Sequence, residues 1–212
     1  EILAFADMAM YSSKQAGKSR YRFFDHQTRL AVLEAARVET ELRAALEKHE
    51  LRLHFQPKFG LEDGALTGVE ALVRWQHPER GLLGPAVFIE LAEESGLIVP
   101  IGRWVLDQAC AQLAAWRAQG LKPPPCAINV SRRQLAADTL VDDVRRALTA
   151  NDLESSMLEL EVTESLLMAD TGRSLAVLQR LHTLGVGVAI DDFGTGYSSL
   201  SYLKRFPLNT LK

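Results

Sequence analysis

Three runs decide the fold: Cys126-Ala127-Ile128-Asn129-Val130-Ser131, Met157-Leu158-Glu159-Leu160-Glu161-Val162 and Gly185-Val186-Gly187-Val188-Ala189-Ile190-Asp191. Each is a short, mostly apolar segment of strand length. Helical patterning fills the gaps, over about 132–150 and 172–184. Strand, helix, strand, helix, strand predicts a parallel sheet with helical crossovers, open or closed into a barrel. Upstream, Leu51-Arg52-Leu53-His54-Phe55-Gln56-Pro57 alternates apolar and polar residues, and a second strand runs from Gly64 through Trp75. The turn-rich loop between them allows an antiparallel hairpin. Further helices are expected around 85–95 and 99–119, and Pro123-Pro124-Pro125 stops the chain before Cys126. A short helix over 198–206 closes at Pro207, and Leu208-Asn209-Thr210-Leu211-Lys212 begins a last strand. The count is six strands with the last one clipped, where a closed barrel of this type has about eight.

Residues 27–49 predict an amphipathic helix. Val38, Leu42 and Leu46 recur at helical spacing, Leu30 and Leu33 precede them, and Glu39 with Arg43 forms a favourable pair on the polar side. It reads either as a connector packed on its neighbour or as a signalling helix that pairs with a partner helix. In residues 1–25 the run Ala6-Asp7-Met8-Ala9-Met10-Tyr11 looks helical, and Lys14, Lys18, Arg20 and Arg22 follow. Such a piece is too short to bury a core and is expected to be the tail of another domain. The chain starts at Glu1 rather than Met, which predicts a fragment of something longer.

Composition narrows the function classes. The 212 residues hold 27 acids and 24 bases, a formal charge of -3, with 47% in the hydrophobic set. That is a globular composition rather than a disordered one. The slight acidity argues against a binder of nucleic-acid polymers. No apolar run approaches the roughly 18 residues of a membrane span, and the N-terminus lacks a signal-peptide pattern. Cys110 and Cys126 read as buried free thiols in a reducing compartment, which predicts the cytoplasm. The five histidines show no zinc-type spacing.

Polar residues in apolar strands carry the chemistry. Glu70 and Arg74 share one face of the second strand, either as a structural ion pair or as groups in use. Asn129 ends the next strand, where Asn is unusual unless it opens a turn. Glu161 and Glu164 close the following one, where Thr163 or Glu164 also suits a helix cap. Asp191-Asp192 then precedes a loop with Gly194 and Gly196. If these ends converge, the site gathers Glu70, Asn129, Glu161, Asp191 and Asp192. Two carboxylates about 5 Å apart repel by roughly 3 kcal/mol at an effective dielectric near 20, so cations are required. Oxygen-only ligands select hard divalent ions, Mg²⁺ or Mn²⁺ with Ca²⁺ as the alternative, over Zn²⁺, and such sites usually handle phosphate esters. Lys212, also at a strand end, either supports the attacking water or is an ordinary exposed lysine.

These residues resemble the EAL-domain cyclic di-GMP phosphodiesterases. The resemblance spans about 47–212. It is carried by Phe55-Gln56-Pro57-Lys58, Glu70-Ala71-Leu72-Val73-Arg74-Trp75, Phe88-Ile89-Glu90-Leu91-Ala92-Glu93 with Gly96-Leu97-Ile98, Asn129-Val130-Ser131, Glu161-Val162-Thr163-Glu164 and the 191–199 stretch, in that order and spacing. Residues 1–25 resemble the end of a GGDEF domain through Ala6-Asp7, Ala9, Tyr11, Lys14 and Gly17-Lys18. The implied organisation is a GGDEF remnant over 1–25, a connecting helix over 26–49 and an EAL domain over 50–212.

The resemblance implies a TIM-type (β/α)8 barrel with one reversed strand, here cut after about six strands, because the family barrel continues beyond Lys212. It implies a two-metal site of Mg²⁺ or Mn²⁺. Glu70, Asn129, Glu161 and Asp191 would be ligands, and Asp192 would serve the second ion. Lys212 would position the nucleophilic water, and Glu164 would hold the 192–199 loop. Gln56, Leu72 and Arg74 would line the substrate groove, Arg74 toward a phosphate, which suits its bidentate geometry. The implied activity is metal-dependent hydrolysis of cyclic di-GMP to linear pGpG in bacterial signalling. The expected setting is a cytoplasmic homodimer with GGDEF and sensory domains upstream. The alternatives are a receptor module that binds cyclic di-GMP without cutting it, and an interaction segment in which 27–49 drives dimerisation.

Overall fold

Leu158, Leu160 and Val162 are almost wholly buried, while Glu159, Glu161 and Thr163 alternate with them on the opposite face of the same strand. That alternation organises the whole sheet. The structure, a computed structural model, describes residues 26–192, 194 and 205–212, leaving aside the side chains of 26–29 and 31. The expected helix within Ala6–Tyr11, the GGDEF remnant over 1–25, most of the 192–199 loop and most of the 198–206 helix lie outside the described residues.

Among the described residues the elements run as follows. Helix α1 is His26–Glu47; strands β1 (Leu51–Phe59), β2 (Leu66–His77) and β3 (Gly81–Leu83) follow. A 3-10 turn at Pro85–Val87 leads to α2 (Ile89–Ser95) and α3 (Ile98–Ala118). Next come β4 (Cys126–Asn129), α4 (Arg132–Leu135), α5 (Leu140–Ala150), β5 (Leu158–Thr163), α6 (Glu164–Ala169), α7 (Thr171–Leu184), β6 (Gly187–Asp191) and β7 (Thr210–Leu211). The sheet order is β1-β2-β4-β5-β6-β7, with β3 on β2. β1 runs antiparallel to β2, while β2, β4, β5, β6 and β7 are mutually parallel. This is the α/β barrel architecture with its reversed strand at the start.

The apolar face of the sheet meets the helices. Ala71, Trp75, Cys126, Ile128, Leu160, Val188 and Ile190 pack with Ile101, Leu106, Leu113, Val144, Leu178 and Leu181 in one core. Phe55 of β1 meets Trp116 of α3 edge-on, with ring centres 5.0 Å apart. Cys110 and Cys126 are buried free thiols, and burial pushes both up to about 12. Glu39 and Arg43 pair at 3.4 Å on α1, and its Val38 and Leu42 are buried, whereas Leu30 and Leu33 stay about half exposed. No helix among the described residues is long and apolar enough to cross a membrane.

Several expectations need correction. The single helix over 132–150 is two. Leu135 and Leu140 are both buried, and a spacing of five residues cannot keep both on one helical stripe, so the chain resets between them. The short strand β3 was not expected; α6 follows β5 without a loop, with Thr163 at its N-cap, one of the two cap positions that the sequence offered. β6 starts at Gly187, because Gly185 sits at φ 88° and ends α7 in a left-handed cap. Seven strands are present among the described residues, where six were expected.

Among the described glycines, Gly102 of α3 is the most closely covered. A Cβ there would lie 1.9 Å from Nε2 of Gln134. Gln134 is buried and closes a capping box with Ser131, its Oε1 accepting from the Ser131 N–H at 3.1 Å. Gly102→Ala must therefore expel that side chain and open the box. The expected cost is about 1–3 kcal/mol, read from urea unfolding; an unchanged midpoint would show that Gln134 can move aside freely.

Candidate active site

Residues opposite one another in neighbouring strands point to the same face. In this sheet the register places Gln56 opposite Glu70, Asn129 opposite Glu161, Thr163 opposite Asp191 and Ala189 opposite Thr210. The face that does not meet the helices therefore carries Gln56, Lys58, Glu70, Leu72, Arg74, Asn129, Glu159, Glu161 and Asp191. Lys212 follows β7 directly, and its N–H donates to the carbonyl of Ile190 at 2.8 Å. Asn209 fixes this last strand with its side chain, accepting from the Val188 N–H at 2.9 Å.

Four of the expected residues touch one another. Asn129 Nδ2 donates to Glu70 Oε1 at 2.8 Å. Lys212 Nζ donates to Glu161 Oε1 and lies 3.5 Å from Glu70 Oε2. The Glu161 side chain is fully buried, and its Oε2 has no hydrogen-bond partner among the described residues. Burial opposes the charge on Lys212, but its hydrogen bond to Glu161 and the charges of Glu161 and Glu70 outweigh that and raise its pKa. The ammonium group is therefore present at neutral pH. Its contribution to stability is complete below the ordinary lysine pKa and is lost only as pH rises through the raised one.

Lys58 joins the same cluster, although the sequence gives it no role. Its Nζ donates to Glu161 Oε1 at 2.7 Å and stands 3.6 Å from Glu159 Oε1. Glu159 in turn accepts from Thr210 Oγ1 at 2.9 Å. The signal was there in the strand alternation, since Lys58 is two residues beyond Gln56.

The remaining expected residues have other neighbours. Glu70 lies in the middle of β2 rather than at its end, because β2 continues against β1 and β3 after its pairing with β4 stops at Ala71. The Glu70–Arg74 ion pair does not form; Arg74 Nη1 donates to the Val73 carbonyl at 2.8 Å. Leu72, Asn129 and Thr163 line a cleft of about 340 Å³ that reaches down to Ile101 and Gly102. Asp191 Oδ1 accepts from the Asp192 N–H at 3.0 Å, and Asp192 has φ 55°, a left-handed turn that Asp tolerates. Glu164 is buried, and its Oε2 accepts from the Gly194 N–H at 3.0 Å, tying the start of α6 to the chain after β6.

The donors suit a hard cation. Every candidate ligand offers oxygen, and the buried Glu161 Oε2, without a hydrogen-bond partner among the described residues, has lone pairs that a hard cation could accept. Among the described residues no three His, Cys, Asp or Glu side chains stand together as a ready metal cluster. Among the described residues, Lys58 and Lys212 place positive charge beside Glu161 and Glu70.

Comparisons with known proteins follow the same lines. Residues 39–212 match the family model of the EAL domain. Over 212 residues the chain is 49% identical to the bifunctional diguanylate cyclase/cyclic di-GMP phosphodiesterase MucR of Pseudomonas aeruginosa, covering 100% of this chain and 31% of that protein. It is 44% identical over 211 residues to the cyclic di-GMP phosphodiesterase PdeR of Escherichia coli strain K12, covering 100% of this chain and 32% of that protein. The chain thus spans about a third of the length of these curated relatives. The solved PaMucR phosphodiesterase, c-di-GMP complex, matches with a TM-score of 0.79 at 52% identity, over 82% of this chain and 71% of that one. The FimX EAL domain of Pseudomonas aeruginosa bound to c-di-GMP matches with a TM-score of 0.75 at 27% identity, over 82% and 69%.

Proposed function

This chain belongs to the EAL domain family, and from that premise we propose that the protein carrying it hydrolyses one phosphodiester bond of cyclic di-GMP to give linear pGpG. The observation that carries the reading is the buried Glu161 carboxylate, one oxygen held by lysine and the other without a partner, beside the Glu70–Asn129 pair. The names of MucR and PdeR and the nucleotide in the PaMucR complex support it.

Glu70, Asn129, Glu161 and Asp191 would hold Mg²⁺ or Mn²⁺, with Asp192 serving a second ion. When bound, these ions would neutralise phosphate oxygens and acidify water. The chain's own groups do the rest. Lys212 places a positive charge beside Glu70 and Glu161, where it would orient the attacking water and balance the charge that develops on the phosphate. Arg74 and Gln56 share the face of Glu70, so the substrate would lie across β1 and β2 with Leu72 against a base. The water oxygen bonds to phosphorus, the P–O3′ bond breaks and the departing oxygen gains a proton. Glu164, through the Gly194 N–H, would hold the loop after Asp192 in place.

The reading extends to the rest of the molecule. Residues 1–25 would be the end of a GGDEF domain, since the match to MucR, named a diguanylate cyclase as well, runs through them. Residues 26–49 would connect it to the EAL domain of a cytoplasmic homodimer.

The test is chromatography of cyclic di-GMP incubated with the whole protein and Mn²⁺. Linear pGpG is expected, suppressed by a chelator and reduced at least about 10²-fold by Glu70→Ala. Tight nucleotide binding with no product would replace the enzyme by a receptor.

A further inference from the structure

We infer that Lys58 is a positioning residue for this centre: its ammonium group fixes the Glu161 carboxylate through Oε1 and leaves Oε2 for a divalent cation. The inference deepens the phosphodiesterase reading and rests on it.

Lys58 stands near the end of the reversed strand, just before the register shift at Phe59. Directly across from it is Gly68, and a Cβ at that glycine would meet Lys58 Cδ at 3.4 Å. The lysine stem thus lies over a residue without a side chain, and its Nζ reaches β5. There it meets Glu161 Oε1 at 2.7 Å and Glu159 Oε1 at 3.6 Å. Glu159 is itself held by Thr210. A wholly buried carboxylate such as Glu161 is costly without a counter-charge.

Two lysines supply that charge, and they differ in their second partner. Lys212 reaches Glu161 and Glu70, both proposed cation ligands, so a bound cation competes with it on both sides. Lys58 reaches Glu161 and Glu159, and Glu159 is outside the proposed ligand set. Its hold on Glu161 therefore survives when the cation enters. Lys58 keeps the carboxylate in one orientation, while Lys212 is released toward the water and the phosphate.

The experiment compares wild type, Lys58→Met, Lys58→Arg and Glu159→Gln in the whole protein. Calorimetry with Mn²⁺ alone gives the cation affinity, and steady-state hydrolysis gives kcat and KM. Lys58→Met is expected to weaken Mn²⁺ binding and lower kcat by about 10-fold or more, as for groups that orient a ligand, with KM for cyclic di-GMP changed far less. Lys58→Arg restores most of the Mn²⁺ affinity, and Glu159→Gln weakens it by a smaller factor. Unchanged or tighter Mn²⁺ binding in Lys58→Met overturns the inference, because the lysine would then be a bystander or a competing charge. If Lys58→Met does not fold, Glu159→Gln decides: weaker Mn²⁺ binding supports the role and unchanged binding removes it. A wild-type protein that binds no Mn²⁺ also overturns it. One that binds Mn²⁺ but releases no pGpG defeats the phosphodiesterase reading alone, and the calorimetric comparison still judges Lys58.

Discussion

Glu161→Gln is expected to remove cyclic di-GMP turnover by at least about 10²-fold and to lower the unfolding free energy by about 3 kcal/mol. Glu161 is the acceptor shared by Lys58 and Lys212, and its own side chain is fully buried. An amide in its place keeps the shape but loses the charge. Two ammonium groups then face each other with no carboxylate between them. Both lysines are about a quarter exposed, so water recovers part of their solvation and the cost stays at the low end of the range for a broken buried pair. Turnover suffers more, because the proposed cation loses an anionic ligand. The measurements are pGpG release with Mn²⁺ and urea unfolding without it. Near-normal turnover in a folded Glu161→Gln protein would exclude this cluster as the hydrolytic centre.

Trp75→Ala is the corresponding change for the fold. Trp75 is completely buried at the end of β2, with the Phe88 ring edge-on at 5.9 Å and its Nε1 donating to Glu50 Oε2 at 3.1 Å. It stands opposite Leu51 on one side and Leu83 on the other. One side chain thus joins the reversed strand, the β3 arm and the turn into α2. Its removal is expected to cost about 3–5 kcal/mol, a large part of the 5–15 kcal/mol that holds a typical domain together. Circular dichroism in urea reads the loss, and Trp75→Phe separates the ring from the Glu50 hydrogen bond. A loss below about 1 kcal/mol in Trp75→Ala would mean that the core closes over the gap.

The candidate site could be read from the sequence in outline, because Glu, Asn and Asp inside otherwise apolar strands are expensive unless used or paired. Asn129 with Glu70, and Glu161 with Lys212, meet as strand positions suggested. The Glu70–Arg74 pair illustrates what one strand can mislead about. Residues four apart on a strand share a face but are roughly 13 Å apart along it, too far for an ion pair, so cross-strand neighbours win. Lys58 shows the reverse: its face could be read, two residues beyond Gln56, but its partner could not, because Glu161 is 103 residues away and no local pattern records that. The break between α4 and α5 carries neither Gly nor Pro and follows from which leucines reach the core. The three-residue β3 is too brief to show a period at all.

The reversed strand has a consequence for the order of folding. β1 and β2 are sequence neighbours paired from Leu51 with Trp75 to Phe59 with Leu66, so their hairpin closes over a short loop and needs no other part of the chain. Hairpins of this kind form in microseconds, whereas parallel pairing across helical crossovers must first overcome the entropy of a long loop. The expected order is therefore hairpin first, which would place Lys58 before β5 docks. The Glu161 carboxylate would then meet an ammonium group already carried by the hairpin, and the pair would fasten β5 to the reversed strand.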